Sequence, residues 1–191
     1  DIKPGEWTSL PQALANIKGT LFFSAVGEMG GQELWKSDGT AEGTVLVKDI
    51  HKKGDSGPYR ITDVNGMAFF IANDGIHGGE LWKSNGTEAG TVLVTDINPT
   101  GQSHISGLTN VEGTLFFVAA NGRHGKELWQ SDGTKTGTVM VKDINPKGDS
   151  NPWYLINRKG ILFFAANDGI NGTELWKSDG TETGTVLVKD I

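Results

Sequence analysis

No cysteine occurs among the 191 residues, which excludes disulfide staples, thiolate nucleophiles and cysteine-ligated zinc, and leaves the compartment open. Basic charge is also in short supply. Seventeen Lys and Arg stand against 23 Asp and Glu, a net −6, whereas a nucleic-acid groove needs a basic patch. No apolar run approaches the ~18 residues of a membrane helix and no stretch has the pattern of a signal peptide, so membrane insertion is not expected. Helical periodicity is missing as well, because no long segment repeats apolar residues at i, i+3, i+4 and i+7. His51, His77, His104 and His124 lie in loops with no nucleophile–base motif around them, and the calcium-loop spacing is absent around Asp55, Asp74, Asp149 and Asp168. The expectation is a protein without metal or cofactor that is not an enzyme.

What is abundant is glycine, 28 residues, about twice the usual share. The glycines recur in register with a repeat. Trp35, Trp82, Trp129 and Trp176 are spaced by 47 residues, and so are Ile50, Ile97, Ile144 and Ile191. The repeats run over about 3–50, 51–97, 98–144 and 145–191, read as one repeat domain. Asp1-Ile2 looks like the tail of a preceding unit, and the start on Asp1 is what a processed or excised segment would show.

Each unit reads as four strands. The first ends in "ITDVN" (61–65) or "LTNVE" (108–112). The second is "TLFFVAA" (114–120) and its counterparts, the third "ELWKS", the fourth "TVLVKDI". Phe, Val, Ile and Thr suit a pleated surface, and Gly, Asn and Asp separate the runs. In "TLFFVAA" both alternating sets are apolar, Leu115, Phe117 and Ala119 on one side and Phe116, Val118 and Ala120 on the other. A sheet with two greasy faces needs neighbours on both. The fold class expected is therefore all-β, a β-propeller of four-stranded antiparallel blades, closed as four or forming half of an eight-bladed ring, with a stacked β-solenoid or prism as the alternative.

Asp38, Asn85, Asp132 and Asp179 each precede a glycine between the third and fourth strands, where a hairpin needs a positive φ. Asparagine serves that turn but ligates a cation less well, so these positions, like the four repeated tryptophans and the repeated glutamates, read as structural. A buried indole whose N–H finds a partner is the expected role of each tryptophan.

The segment "ELWKSDGTAEGTVLVKDI" resembles the bacterial ELWxxDGT, hyalin-like, repeat family, and the likeness covers all four units. It implies large secreted or surface-attached proteins with propeller-like arrays, hence an extracellular or cell-surface setting, and it implies no catalytic residues. The "SDGT" turn is also similar to the structural Asp-box of sialidase propellers, but lacks its terminal tryptophan and one intervening residue.

Function is expected where the repeats differ. The connections between second and third strands vary ("VGEMGGQ", "NDGIHGG", "ANGRHGK", "NDGINGT"), as do the links between units, and both belong on one side of a four-stranded blade. Trp153, Tyr154, Tyr59 and Trp7 are the candidate ligand-binding aromatics, suited to sugar rings or a protein anchor, with packing at a channel mouth as the plainer role. Arg123 and His124 form a small cationic candidate. The reading is a non-catalytic scaffold for binding or adhesion that presents a varied loop face to a glycan or surface protein. Its alternatives are an architectural segment of a longer extracellular protein and, weakest, a glycoside-acting enzyme. A homodimer completing an eight-bladed ring is the partner considered, and no nucleic acid is.

Overall fold

The computed structural model describes residue 2, residues 8–28 and residues 30–191. Sixteen strands form four antiparallel sheets of four, each paired in chain order. Sheet 1 holds β1 (Gln12–Ile17), β2 (Thr20–Val26), β3 (Gln32–Ser37) and β4 (Val45–Lys48). Sheet 2 holds β5 (Tyr59–Val64), β6 (Met67–Asn73), β7 (Gly79–Ser84) and β8 (Val92–Thr95). Sheet 3 holds β9 (Ser106–Val111), β10 (Thr114–Ala119), β11 (Glu127–Ser131) and β12 (Val139–Lys142). Sheet 4 holds β13 (Trp153–Arg158), β14 (Ile161–Asn167), β15 (Thr173–Ser178) and β16 (Val186–Lys189). Two compact units result, Asp1–Leu93 and Val94–Ile191.

The hairpins follow from local chemistry. Between first and second strands an Asn or Asp side chain accepts the N–H of a glycine three residues on: Asn16 from Gly19 at 2.8 Å, Asp63 from Gly66 at 2.7 Å, Asn157 from Gly160 at 3.1 Å. The loop between third and fourth strands is a sealed network. Asp38 Oδ1 accepts the Thr40 N–H at 2.9 Å and the Thr40 hydroxyl at 2.8 Å, Thr40 Oγ1 accepts the Gly43 N–H at 2.9 Å, and the Thr44 hydroxyl donates to the Thr40 carbonyl at 2.6 Å. Asn85 accepts the same pair of bonds from Thr87, at 3.0 and 2.7 Å. Gly39 holds φ at +96°, and a Cβ on Gly43 would stand 2.0 Å from Asp38 Oδ1, so neither position admits a side chain without rebuilding the turn.

The fourth strand is shorter than the sequence pattern suggests. It stops at Lys48, and Asp49-Ile50 leaves the pleat so that Ile50 enters the core, 7 % exposed, while its N–H donates to Glu33 Oε2 at 2.8 Å.

In the first unit the face of sheet 1 carrying Phe22, Leu34, Val47 and Ile50 packs with the face of sheet 2 carrying Ala68, Phe70, Ala72 and Trp82. In the second unit Phe116, Leu128, Val141 and Ile144 of sheet 3 pack with Leu162, Phe164, Ala166 and Trp176 of sheet 4. Trp82 and Trp176 are wedges between the sheets of their units. The indole N–H behaves differently from expectation. Trp35 donates to the Ala25 carbonyl at 3.1 Å, but the buried indole nitrogens of Trp82, Trp129 and Trp176 have no hydrogen-bond partner among the described residues. An indole wedged among aliphatic and aromatic side chains meets carbon rather than oxygen, and the area it buries has to outweigh the unmade bond.

Burial on both faces holds for β6 and β10, in which five consecutive residues, Ala68–Ala72 and Leu115–Ala119, are buried. It fails for β14. There burial alternates, with Leu162, Phe164 and Ala166 inside and Phe163 and Ala165 partly open, because only one face of sheet 4 is covered.

Polar pins reinforce the stacking. Glu33 accepts from the Ile50 N–H, the Ser56 N–H at 3.1 Å and the Ser56 hydroxyl at 2.5 Å. Glu127 repeats this with Ile144, Ser150 N–H and the Ser150 hydroxyl at 2.9, 3.0 and 2.6 Å. Lys48 Nζ donates to the Thr91 carbonyl and Lys142 Nζ to the Thr185 carbonyl, both at 2.8 Å.

Two predictions follow from this packing. Trp176→Ala should lower stability in urea denaturation by about 3–5 kcal/mol, and Trp35→Ala, whose ring is only half-buried, by distinctly less. Burial raises the pKa of Glu33 and Glu127 above 4.5 in spite of their hydrogen bonds. The folded state then holds protons that the unfolded chain has released, so stability falls as pH rises from 4.5 through the raised values. Glu127→Gln should flatten that part of a stability–pH curve measured in urea, and an unchanged slope would count against the assignment.

Candidate functional site

The sequence candidates fall in separate places. Trp7 lies outside the described residues. Tyr59 opens β5 in the first unit, 45 % exposed, its hydroxyl pKa raised by burial. Trp153 and Tyr154 open β13 in the second unit.

The geometry at Trp153 comes from a β-bulge. The pairing of β13 with β14 slips between Trp153 and Ile156, and Tyr154 takes a φ of +53°. Sheets 1 and 2 show the same slip, with Ala13 at +52° and Arg60 at +54°, and Gly107 in sheet 3 sits at +67°. The bulge therefore belongs to the repeat, and strain at Tyr154 is not by itself a functional mark. Its consequence in sheet 4 is particular, because a bulge re-aims side chains that a regular strand would send to opposite faces. The rings of Trp153 and Tyr154 stack at 5.2 Å and 23°, and they are 52 % and 81 % exposed. The other sheets carry Gln12-Ala13, Tyr59-Arg60 and Ser106-Gly107 there, so this aromatic pair occurs only in sheet 4.

The acids of the loops in each unit are committed to hydrogen bonds with loop N–H groups. Asp168 Oδ1 accepts the N–H groups of Asn171 and Ile170 at 2.8 and 2.9 Å, which hold its pKa below the usual value. Asp74 does the same with Ile76 and His77 and also meets His77 Nδ1 at 2.7 Å; its pKa is lowered although burial works against this. Asp55 and Asp149 tie the links between units to the loops before the third strands, accepting the N–H of Gln32 at 2.7 Å and of Lys126 at 2.9 Å. His124 turns to Asn121 and, at 3.9 Å, to Asp143, while Arg123 is exposed. Among the described residues no hydrogen bond, ion pair or ring contact joins Arg123 or His124 to the aromatic pair.

A concave site that the sequence does not announce lies in the first unit, a cavity of about 450 Å³ bordered by Trp35, Leu46, Thr44, Glu28, Glu33 and Asp49. It has an aromatic wall and carboxylates, but Glu33 is already engaged by three donors, and Glu127 repeats that arrangement in the second unit. An acid pair written into the repeat does not single out a catalytic centre. The serines that saturate these glutamates are the residues sequence reasoning missed. Ser9, Ser56, Ser103 and Ser150 share the 47-residue spacing of the tryptophans, which is the signal that would have found them.

No family model and no curated protein matches the chain. Several solved structures do. A variant of puromycin hydrolase complexed with PGG is 14% identical with a TM-score of 0.55; the match covers 98% of this chain but spans only 30% of that hydrolase, and at this identity it shows the fold alone. A putative exo-β-1,3-galactanase from Bifidobacterium bifidum is 12% identical over 92% of this chain and 69% of its own, with a TM-score of 0.44. An α-L-arabinofuranosidase from Clostridium thermocellum is 13% identical over 93% of this chain and 70% of its own, with a TM-score of 0.41. These neighbours are hydrolases, two of them glycosidases by name, and they correct the expectation of a non-catalytic binding or adhesion scaffold with an architectural segment as its alternative.

Proposed function

We propose that the chain acts on glycosides as part of a hydrolase, with a sugar ring seated on Trp153 and Tyr154. The observation that carries this reading is the stacked pair itself, two rings 5.2 Å apart and inclined by 23°, held in the open by a bulge at the start of β13. A flat apolar face suits the C–H face of a pyranose or furanose, and a stacked pair leaves an outer ring face open to it. Pinned loops support the reading, since a platform on rigid elements loses little freedom on binding. Hydrolysis needs carboxylates that reach the substrate, so the groups that cleave are other than the hydrogen-bonded Glu33 and Glu127.

The finer fold belongs to the same proposal. Within each unit a tryptophan-bearing face stacks on a Leu–Val face of the preceding sheet, which supports reading each sheet as a propeller blade. An extracellular setting and kinship with ELWxxDGT repeats go with it.

Titration with soluble galactan, arabinan and xylan oligosaccharides, followed by tryptophan fluorescence and by release of reducing ends, tests the proposal. Saturable quenching by at least one class is expected, weakened about tenfold, or ~1.4 kcal/mol, in Trp153→Ala and retained in Tyr59→Ala. Neither quenching nor reducing ends with any class, or full affinity in Trp153→Ala, would refute the platform.

A further inference from the structure

Sheet 4 has a bare face with the chemistry of a sheet-to-sheet interface. Leu175 is 39 % and Val188 44 % exposed, whereas Leu34 and Leu128 are 0 % exposed, and Val47 and Val141 5 % and 7 %, in the stacked pairs of the two units. The complementary face is the cavity wall of sheet 1. Trp35 stands there half-buried beside Leu46, which is 37 % exposed, although its counterparts Trp82 and Trp176 are wedged under a neighbouring sheet. Ile2 also lines this wall.

The polar pins are split between the same two faces. Glu174 receives the Ile191 N–H at 3.0 Å, and among the described residues no serine reaches it as Ser56 reaches Glu33 and Ser150 reaches Glu127. Ser9 occupies the matching serine position with no side-chain hydrogen bond shown to a glutamate. Lys189 corresponds to Lys48 and Lys142, and Thr44 to their acceptors Thr91 and Thr185. Lys177 corresponds to Lys36, which donates to the Gly86 carbonyl at 2.8 Å. Charge agrees too, with Lys177 and Lys189 flanking the apolar strip and Glu28 and Asp49 at the cavity.

We infer that a second copy of this chain docks head to tail, the Leu175–Val188 face of one on the Trp35 face of the other. The contact continues the interface seen twice within the chain, with Glu174 of one copy meeting Ser9 of its neighbour. Such a heterologous contact closes into a ring or extends as a filament. It is independent of the sugar platform.

Sedimentation of the whole chain tests it. A mass of at least twice 20.4 kDa is expected. Leu175→Asp and Leu46→Asp, both at exposed positions, should each give folded material of 20.4 kDa, with folding checked by circular dichroism. Each variant keeps one intact face, so mixing the two should restore a species of twice that mass. A wild-type chain that stays at 20.4 kDa over a wide concentration range overturns the inference, and so does a mixture that fails to associate.

Discussion

A four-stranded meander with strands of four to seven residues cannot bury enough surface to stand alone. Everything else in this chain depends on relieving that deficit by stacking one sheet on another. The apolar residues are placed accordingly. Phe70 and Phe164 point toward the preceding sheet of their unit, and Leu34 and Leu128 toward the following one, each almost wholly removed from water. The repeated tryptophan fills the wider part of the gap. It does so even where its N–H goes unpaired, which shows that filling volume outranks satisfying that single donor.

Stacking also fixes the loops. Glu33 and Glu127, near the start of their third strands, reach over to the link that follows, so that link is drawn against its own sheet rather than left free. Asp55 and Asp149 fasten the same links from the other side. The rim is stiff as a result, and the exposed Trp153–Tyr154 pair sits at the end of a strand whose bulge is set by the repeat. An exposed aromatic pair thus arises by changing two side chains at a bulge that the repeat already has, without any new loop.

Much of this is legible in the sequence, for identifiable reasons. The Asp-Gly and Asn-Gly turns are readable because positive φ and a short acceptor side chain are demanded at one position, and Asn85 can replace aspartate there. The two-sided burial of "TLFFVAA" is readable because both alternating sets are apolar. The open face of sheet 4 is not, since "ILFFAAN" is as apolar as its counterparts; what differs is the absence of a neighbour, which no local pattern records. The glutamate–serine pins are written in the spacing but join residues 23 apart, and small polar residues in loops are easily taken for turn formers. The stacking of Trp153 on Tyr154 escapes a reading by alternation, because adjacent residues in a regular strand face opposite ways and only the bulge brings them together. The hydrolase likeness has no counterpart in the repeated residues at all.

The sheet-on-sheet wedge can be observed directly by nuclear Overhauser contacts from the indole rings. The account predicts cross-peaks from Trp82 to methyl groups of Leu34 and Val47, and from Trp176 to those of Leu128 and Val141, in the intact chain. Indole rings that show contacts only within their own sheet, with the leucine methyls exposed to solvent, would contradict it.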